Sequence, residues 1–279
     1  MAEPDSMKSK DLFPAVFSRH AVAYQSRLEQ VMARGEARGR LRVLELVDVQ
    51  PGMHVLDLAC GPGTLTRRLA HQVLPGGEVV GVDLAPGMIA LAGASEIPNA
   101  RFEVMDIEEL SFPDSSFDAA VCGHGIQFAP RLGVALREAR RVLRQGARFA
   151  ASVPVERTVA SVWSVLDPVI DRWLGPAPQA VDQKTTRRAV GDAKTFAQAA
   201  LDAGFESADV EAIDETMRWA SAEQLVLMCT SWWDCAARLE GVAPDRRKKF
   251  TDEAIEELRR AYPGAIETTG RNHVLLAIA

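Results

Sequence analysis

The chain has 279 residues, 47% of them hydrophobic and 25% charged, and its net charge is −6. These values fit one elaborated globular domain with a sizeable core, and the acidic balance disfavours a nucleic-acid partner, whose grip needs a basic face. No apolar run approaches the ~18 residues of a membrane span, and the N-terminus MAEPDSMKSKDLF lacks an apolar signal core, so a cytoplasmic protein is expected.

Residues 12–47 have helical spacing, with Phe13, Phe17, Tyr24, Leu28 and Val31 on an apolar face. Pro51-Gly52 turns into a short apolar run, His54–Leu58, which stops abruptly at Ala59-Cys60-Gly61-Pro62-Gly63. A buried parallel strand reads this way. Thr64–Leu74 returns to helical spacing through Leu65, Leu69 and Val73. Further strands are expected at Glu78–Asp83 and Arg101–Asp106, with a helix over 86–95 between them and Pro86 at its first position. A fourth strand ends near Cys122, a helix spans 131–145, and a fifth strand runs from Arg148 to Val153. Gly76 and Gly146 suit helix stops. Strands alternating with helices predict a parallel, doubly wound sheet with right-handed crossovers.

Past Val153 the pattern changes. Residues 155–174 read as helix and GPAPQAVDQKTTRR at 175–188 as loop. Thr195–Ala203 reads as a helix closed by Gly204, and a long strand covers roughly Ala208–Met217. Helices are expected at Ser221–Arg238 and Thr251–Tyr262, and a terminal strand at His273–Ala279. Cys60, Cys122, Cys229 and Cys235 have no Cys-x-x-Cys spacing and read as reduced thiols. The arginine pairs at 67–68, 140–141 and 187–188 and the run Arg246–Lys249 have acids nearby and read as solvated faces.

The turn at 59–63 is where chemistry is expected. It lies between a strand and a helix, where an α/β sheet binds nucleotides and nucleosides. A dinucleotide site would show Gly-x-Gly-x-x-Gly; here Gly61-Pro62-Gly63-Thr64-Leu65-Thr66 lacks the third glycine. The second strand ends in Asp83, which can accept both hydroxyls of a ribose. The third ends in Asp106, for which a dinucleotide site has no regular use and an adenine amino group does. A nicotinamide-dependent oxidoreductase is therefore the weaker reading.

Five segments together resemble the class I S-adenosylmethionine-dependent methyltransferases, in the branch that includes quinone-biosynthesis and natural-product enzymes. They are VLDLACGPG at 55–63, GVDLAPGMIALA at 81–92, FEVMDIEEL at 102–110, FPDSSFDAAVC at 112–122 and ALREARRVLRQGARF at 135–149. The resemblance is specific over 45–153 and looser elsewhere. It departs at Ala59, where the family more often has glycine, and at Gln145-Gly146-Ala147, where it usually has Pro-Gly-Gly. It implies an α/β fold, a doubly wound, seven-stranded, mostly parallel, Rossmann-like sheet with N-terminal helices and a helical cap. Residues 1–47 would form a lid, 48–154 the donor-binding core, and 155–279 the rest of the sheet with cap insertions at about 155–200 and 221–262. The last two strands would form an antiparallel hairpin interrupted by the second insertion.

The resemblance also implies the ligand, S-adenosyl-L-methionine, with S-adenosyl-L-homocysteine as product. Gly61 and Gly63, next to Ala59, would let the backbone approach the amino-acid end of the donor, with Asp57 near its ammonium group. Asp83, followed by Leu84, would bind the ribose and Met88 would pack on the adenine. Asp106 and the Ile107 amide would read the adenine edge. Gly123 would line the methionyl part, and Tyr24 would close the site from the N-terminal helices. His124, after the fourth strand, is the candidate base, because histidine titrates near neutral pH. His20 is a weaker candidate; His54, His71 and His273 read as structural and Glu138 as a surface ion pair. No cluster of Asp or Asn ligands follows the later strands, so no metal is expected.

All five tryptophans, Trp163, Trp173, Trp219, Trp232 and Trp233, fall in the second half. Taken singly, each suits the core of the cap. Taken together, they point to at least one beside a flat or aromatic small-molecule acceptor. The position that carries Asn/Asp-Pro-Pro-aromatic in DNA amino-methylating enzymes reads Cys122-Gly123-His124-Gly125 here, against a nucleic-acid substrate. The sequence leaves room for a homodimer. It also leaves open a methyltransferase fold reused for a cyclase or decarboxylase reaction, or for binding alone.

Overall fold

A computed structural model describes residues 7–157, 162–178 and 180–279, with backbone alone at Glu156, Arg157 and Trp233. Three helices open the chain, α1 (Ser9–Arg19), α2 (Ala21–Ala33) and α3 (Arg38–Val47). The alternating region follows: β1 (His54–Leu58), α4 (Thr64–Gln72), β2 (Glu78–Asp83), α5 (Pro86–Gly93), β3 (Ala100–Val104), β4 (Phe117–Gly123), α6 (Leu132–Val142) and β5 (Leu143–Arg157). The second half holds α7 (Trp163–Leu174), α8 (Lys184–Gly191), α9 (Ala193–Asp202), β6 (Ser207–Trp219), α10 (Ala222–Thr230), α11 (Trp233–Leu239), α12 (Pro244–Ala261) and β7 (Ile266–Ile278).

The strands form one sheet in the order β3-β2-β1-β4-β5-β7-β6. The first five are parallel, and β7 runs antiparallel to both β5 and β6. This is the seven-stranded, mostly parallel, doubly wound sheet expected from the sequence. The winding reverses between β1 and β4, and a crevice opens there at the carboxyl ends of the strands. Adjacent residues on a strand point to opposite faces, so Val55 joins the core beneath α3, α4 and the cap while Leu56 joins the core beneath α6 and α9. With both faces covered, β1 reads as a continuous apolar run.

Several boundaries differ from the sequence reading. The helix expected over 131–145 ends at Val142, because Leu143 is extended and pairs with Phe117 of β4. Gly146 therefore does not stop a helix. It sits inside β5 at φ +76°, and its N–H donates to the carbonyl of Ala279 at 2.6 Å. The span 155–174 is strand through Arg157 and helix from Trp163; residues 158–161 lie outside the described residues. The loop expected at 175–188 becomes helix from Lys184, where Thr186 and Val190, one turn apart, are buried. The terminal strand starts at Ile266 rather than His273, because β7 pairs with β6 along its whole length. α10, α11 and α12 form the insertion between those two strands.

The segment 175–188 and the first helix are joined to each other. Asp182 Oδ1 accepts from the backbone N–H of Ser9 at 2.9 Å and from its hydroxyl at 2.6 Å. Ala180 packs with Leu12, Phe13 and Val16 of α1. On its other side α1 meets α5, where Ser18 Oγ accepts from the Gly87 N–H at 3.0 Å. Residues 1–6 of the expected lid, and Gln179, lie outside the described residues.

Candidate active site

A cleft opens where β1, β2 and β4 end, roofed by α1, α2 and α3. Ten of the eleven residues expected at a donor site line it: Tyr24, Asp57, Ala59, Gly61, Asp83, Leu84, Met88, Asp106, Ile107 and Gly123. Gly63 does not. It begins α4 at φ +77°, and a Cβ there would meet the Phe102 ring at 2.8 Å. That glycine serves close packing of the turn against β3.

One acid of the cleft is short of a partner. Asp57 is 1% exposed; one carboxylate oxygen accepts from Thr66 Oγ1 at 2.6 Å and the other, Oδ1, is buried with no partner. Burial, with Asp83 nearby, pushes its pKa up to about 7 against the Thr66 hydrogen bond. Asp83 is better served, accepting from the Gly61 N–H at 2.9 Å and the Ala85 N–H at 2.8 Å, yet burial still raises its pKa. An orphaned carboxylate oxygen beside an open glycine turn fits the ammonium end of an amino acid. Around Gly61, at φ +55°, the nearest atom to an added Cβ is Tyr24 Cε1 at 4.0 Å. Asp106 holds the far end, where its Oδ1 accepts from the Glu108 N–H and its Oδ2 pairs with Lys10 of α1 at 2.5 Å.

Ala59 and His124 are non-glycine residues in the left-handed region, at φ +52° and +63°. Such residues are uncommon and collect at functional sites. Ala59 uses space that Gly125 leaves free, since a Cβ on Gly125 would lie 2.3 Å from that of Ala59. His124 faces the cleft, its N–H donating to the Ser152 carbonyl at 2.9 Å. Its Nε2 is buried without a partner, while Asn272 of β7 hydrogen-bonds the ring. Burial first, and then Arg40, holds its pKa well below the ordinary histidine value. The Nε2 nitrogen of His124 is thus left without a hydrogen-bond partner, and its surroundings disfavour the charged ring. His20 is elsewhere, its Nε2 2.8 Å from Glu240, and His273 is bonded to the Val190 carbonyl.

The aromatic lining differs from expectation. Among the described side chains no tryptophan lines the cleft; Phe13, Phe17, Tyr24 and Phe128 do. Trp219 is in the core, Trp173 donates to Glu253 at 2.8 Å, and Trp163 stacks on Trp232 at 4.8 Å. The side chain of Trp233 lies outside the described residues. The cap uses its tryptophans to pack helices on one another, and the N-terminal helices supply the rings over the site. Lys10, Arg40 and Thr64 also line the cleft and were not singled out from sequence. No spacing marks Lys10 or Arg40, since each lies on a helix whose placement over the sheet is a tertiary fact, whereas Thr64 directly follows the Gly61–Gly63 turn. No group of three His, Cys, Asp or Glu among the described residues is arranged to hold a metal ion.

A family profile described as a methyltransferase domain matches residues 55–146. The chain is 30% identical over 247 residues to a nocamycin O-methyltransferase of Saccharothrix syringae, covering 82% of this chain and 86% of that one. The chain belongs to the class I S-adenosylmethionine-dependent methyltransferases. It is also 32% identical over 181 residues to a 2-phytyl-1,4-naphtoquinone methyltransferase of Synechococcus elongatus, covering 63% of this chain and 77% of that one. The fold is shared with the YcgJ protein of Bacillus subtilis at a TM-score of 0.53 and 19% identity, over 86% of this methyltransferase and 97% of that chain. No helix among the described residues is long and apolar enough to cross a membrane.

Proposed function

We propose that this methyltransferase binds S-adenosylmethionine in the cleft at the ends of β1, β2 and β4 and passes its methyl group to a small cyclic or aromatic acceptor. The observation that carries the reading is the buried, unpartnered Asp57 Oδ1 beside the Gly61 turn, in the same cleft as the unpartnered Nε2 of His124. The acceptor class is supported by the three aromatic side chains of the roof, with Phe128 from the segment after β4, and by relatives named for a naphthoquinone and for nocamycin.

The donor supplies a methyl group already activated by a sulfonium charge. The chain's own work is positioning, which can supply up to about 7–11 kcal/mol. Asp57 takes the ammonium group, Asp83 the ribose hydroxyls, and Met88 with Asp106 and Ile107 the adenine. Tyr24, facing Gly61, closes the donor end and the α1 rings exclude water. His124 Nε2 accepts the proton of an acceptor hydroxyl. Glu240 holds His20 away from this work.

Titration calorimetry with S-adenosylmethionine and S-adenosylhomocysteine tests the donor half. Asp83→Ala should weaken binding by about 1.5–3 kcal/mol, the worth of hydrogen bonds to a charged group. Unchanged affinity removes Asp83 from the site, and a wild-type protein that binds neither compound refutes the reading. Donor binding with no methyl transfer to any phenol, enol or acid would mark a fold reused for other chemistry.

A further inference from the structure

Behind His124 lies a buried polar chain, Asn272 and then Glu215. β7 runs between β5 and β6, and its Asn272 stands opposite Pro154 of β5 and Ile213 of β6. The Asn272 side chain is buried against the start of α3, where a Cβ on Gly39 would lie 3.0 Å from its Cγ. There it hydrogen-bonds two groups, the ring of His124 on one side and the carboxylate of Glu215, from β6, on the other. Glu215 is buried as well. Its Oε2 accepts from the N–H of Gly39, in the first turn of α3, at 3.2 Å. The first turn of a helix favours an anion. Burial raises the Glu215 pKa, and Arg40, whose Nη2 donates to the Tyr24 hydroxyl at 3.1 Å, acts against that rise.

An ionised carboxylate can only accept hydrogen bonds, whereas a primary amide has a donating end and an accepting end. Glu215 therefore takes the NH2 of Asn272, and the amide carbonyl is left facing His124. A carbonyl there calls for a ring N–H. The Nε2 of His124 has no partner, so the bonded nitrogen is Nδ1. Resting on the reading of His124 as the base, we infer that Glu215 and Asn272 are positioning residues that fix His124 as its Nδ1–H tautomer and keep Nε2 bare. Burial disfavours the charged ring but does not choose between its two nitrogens. That choice is made by the hydrogen bond at the other nitrogen. Histidine in water prefers the opposite tautomer. Without the chain behind it, Nε2 would mostly carry the proton and could accept none from a substrate. The carboxylate thus acts on the base through the amide, without touching the reacting atoms.

NMR of the ligand-free protein labelled with nitrogen-15 in its histidine rings shows which nitrogen carries the proton, and needs no acceptor. His124→Gln identifies the His124 signals among those of the five histidines. At about pH 8 the wild type should carry the proton on Nδ1. Glu215→Gln keeps an acceptor for the Gly39 N–H but offers an NH2 to Asn272. The Asn272 amide then turns its carbonyl to the new amide and its NH2 to the ring. The tautomer ratio should move toward Nε2–H by about tenfold or more, as expected for a hydrogen bond to a charged group. Adding Asn272→Asp to Glu215→Gln exchanges acid and amide. A carboxylate at position 272 can only accept, so the proton should return to Nδ1, a rescue that a merely structural role does not give. A cooperative thermal melt shows that each variant folds. If Glu215→Gln does not fold, Asn272→Leu takes its place and should leave a mixture of tautomers. A wild-type ring protonated on Nε2, a ratio unmoved in the single variant, or an exchanged pair that behaves like Glu215→Gln alone overturns the inference. These outcomes are distinct from a wild type that binds no S-adenosylhomocysteine, which refutes the donor reading, and from full turnover in His124→Ala, which refutes the base.

Discussion

Asp57→Asn should make the ligand-free protein more stable in mild base while removing its hold on the donor. Asp57 is 1% exposed, one of its carboxylate oxygens has no partner, and its pKa rises from 3.8 to about 7. A pKa raised on folding contributes stability at low pH that is lost as pH climbs through the folded value. At 1.36 kcal/mol per pH unit the rise corresponds to about 4 kcal/mol in full, of which about 3 kcal/mol is lost between pH 5 and pH 8.5. Asparagine keeps the shape and can still accept from Thr66 Oγ1, but carries no charge. Urea denaturation at pH 5, 6, 7 and 8.5 should show the wild type losing about 2–3 kcal/mol relative to the variant across that range. Other groups titrate equally in both proteins and cancel in the difference. The wild type should also bind S-adenosylhomocysteine more tightly as pH rises to about 7 and release protons on binding, because the ammonium group selects the ionised carboxylate. Parallel stability profiles, or a variant less stable at pH 8.5, would refute the claim that Asp57 is an uncompensated buried acid.

Other expectations follow from the same geometry. Gly125→Ala should cost about 1–3 kcal/mol, because its Cβ would stand 2.3 Å from that of Ala59; Ala59→Gly in the same chain should restore the loss, and a thermal-melt double-mutant cycle with no coupling would argue against the clash. Lys10→Ala cuts the tie of α1 to Asp106 and Glu108, and if that tie is worth about 1 kcal/mol, amide exchange over Ser9–Arg19 should quicken by about fivefold. His124→Ala should lower turnover by about 10²–10⁴-fold with donor affinity unchanged. With its pKa held well below 6.5, wild-type turnover should be level in pH above about 6.5 and fall only in acid, and an acid limb that persists in the variant would assign it to another group.

The sheet core was legible because its signals are local. Val55, Leu56 and Leu58 form an apolar run, Gly61 supplies a left-handed turn, and Asp83 and Asp106 end consecutive strands. Each depends on neighbours in sequence and on the two-residue period of a strand. The same locality explains the misplaced boundaries. Gln145-Gly146-Ala147 looks like a helix stop, but pairing of Leu143 with Phe117 and the bond from Gly146 to the Ala279 carbonyl make it strand. Gly63 also packs against Phe102 of β3, a contact that no local signal shows.

The amino-acid order alone determined the family, the sheet and the residues that line the cleft from the ends of β1 to β4, because those residues lie at strand ends in one contiguous stretch and their spacing follows from strand length and turn length. The roof and far wall of the cleft were decided only by tertiary structure. Tyr24 comes from α2, Arg40 from α3, His124 from the turn after β4, and Glu215 and Asn272 from the last two strands. Nothing in a run of helical residues distinguishes an arginine that will face water from one that will be enclosed against a tyrosine. That difference arises when the N-terminal helices close over the sheet and burial removes the solvent that would otherwise screen the charge.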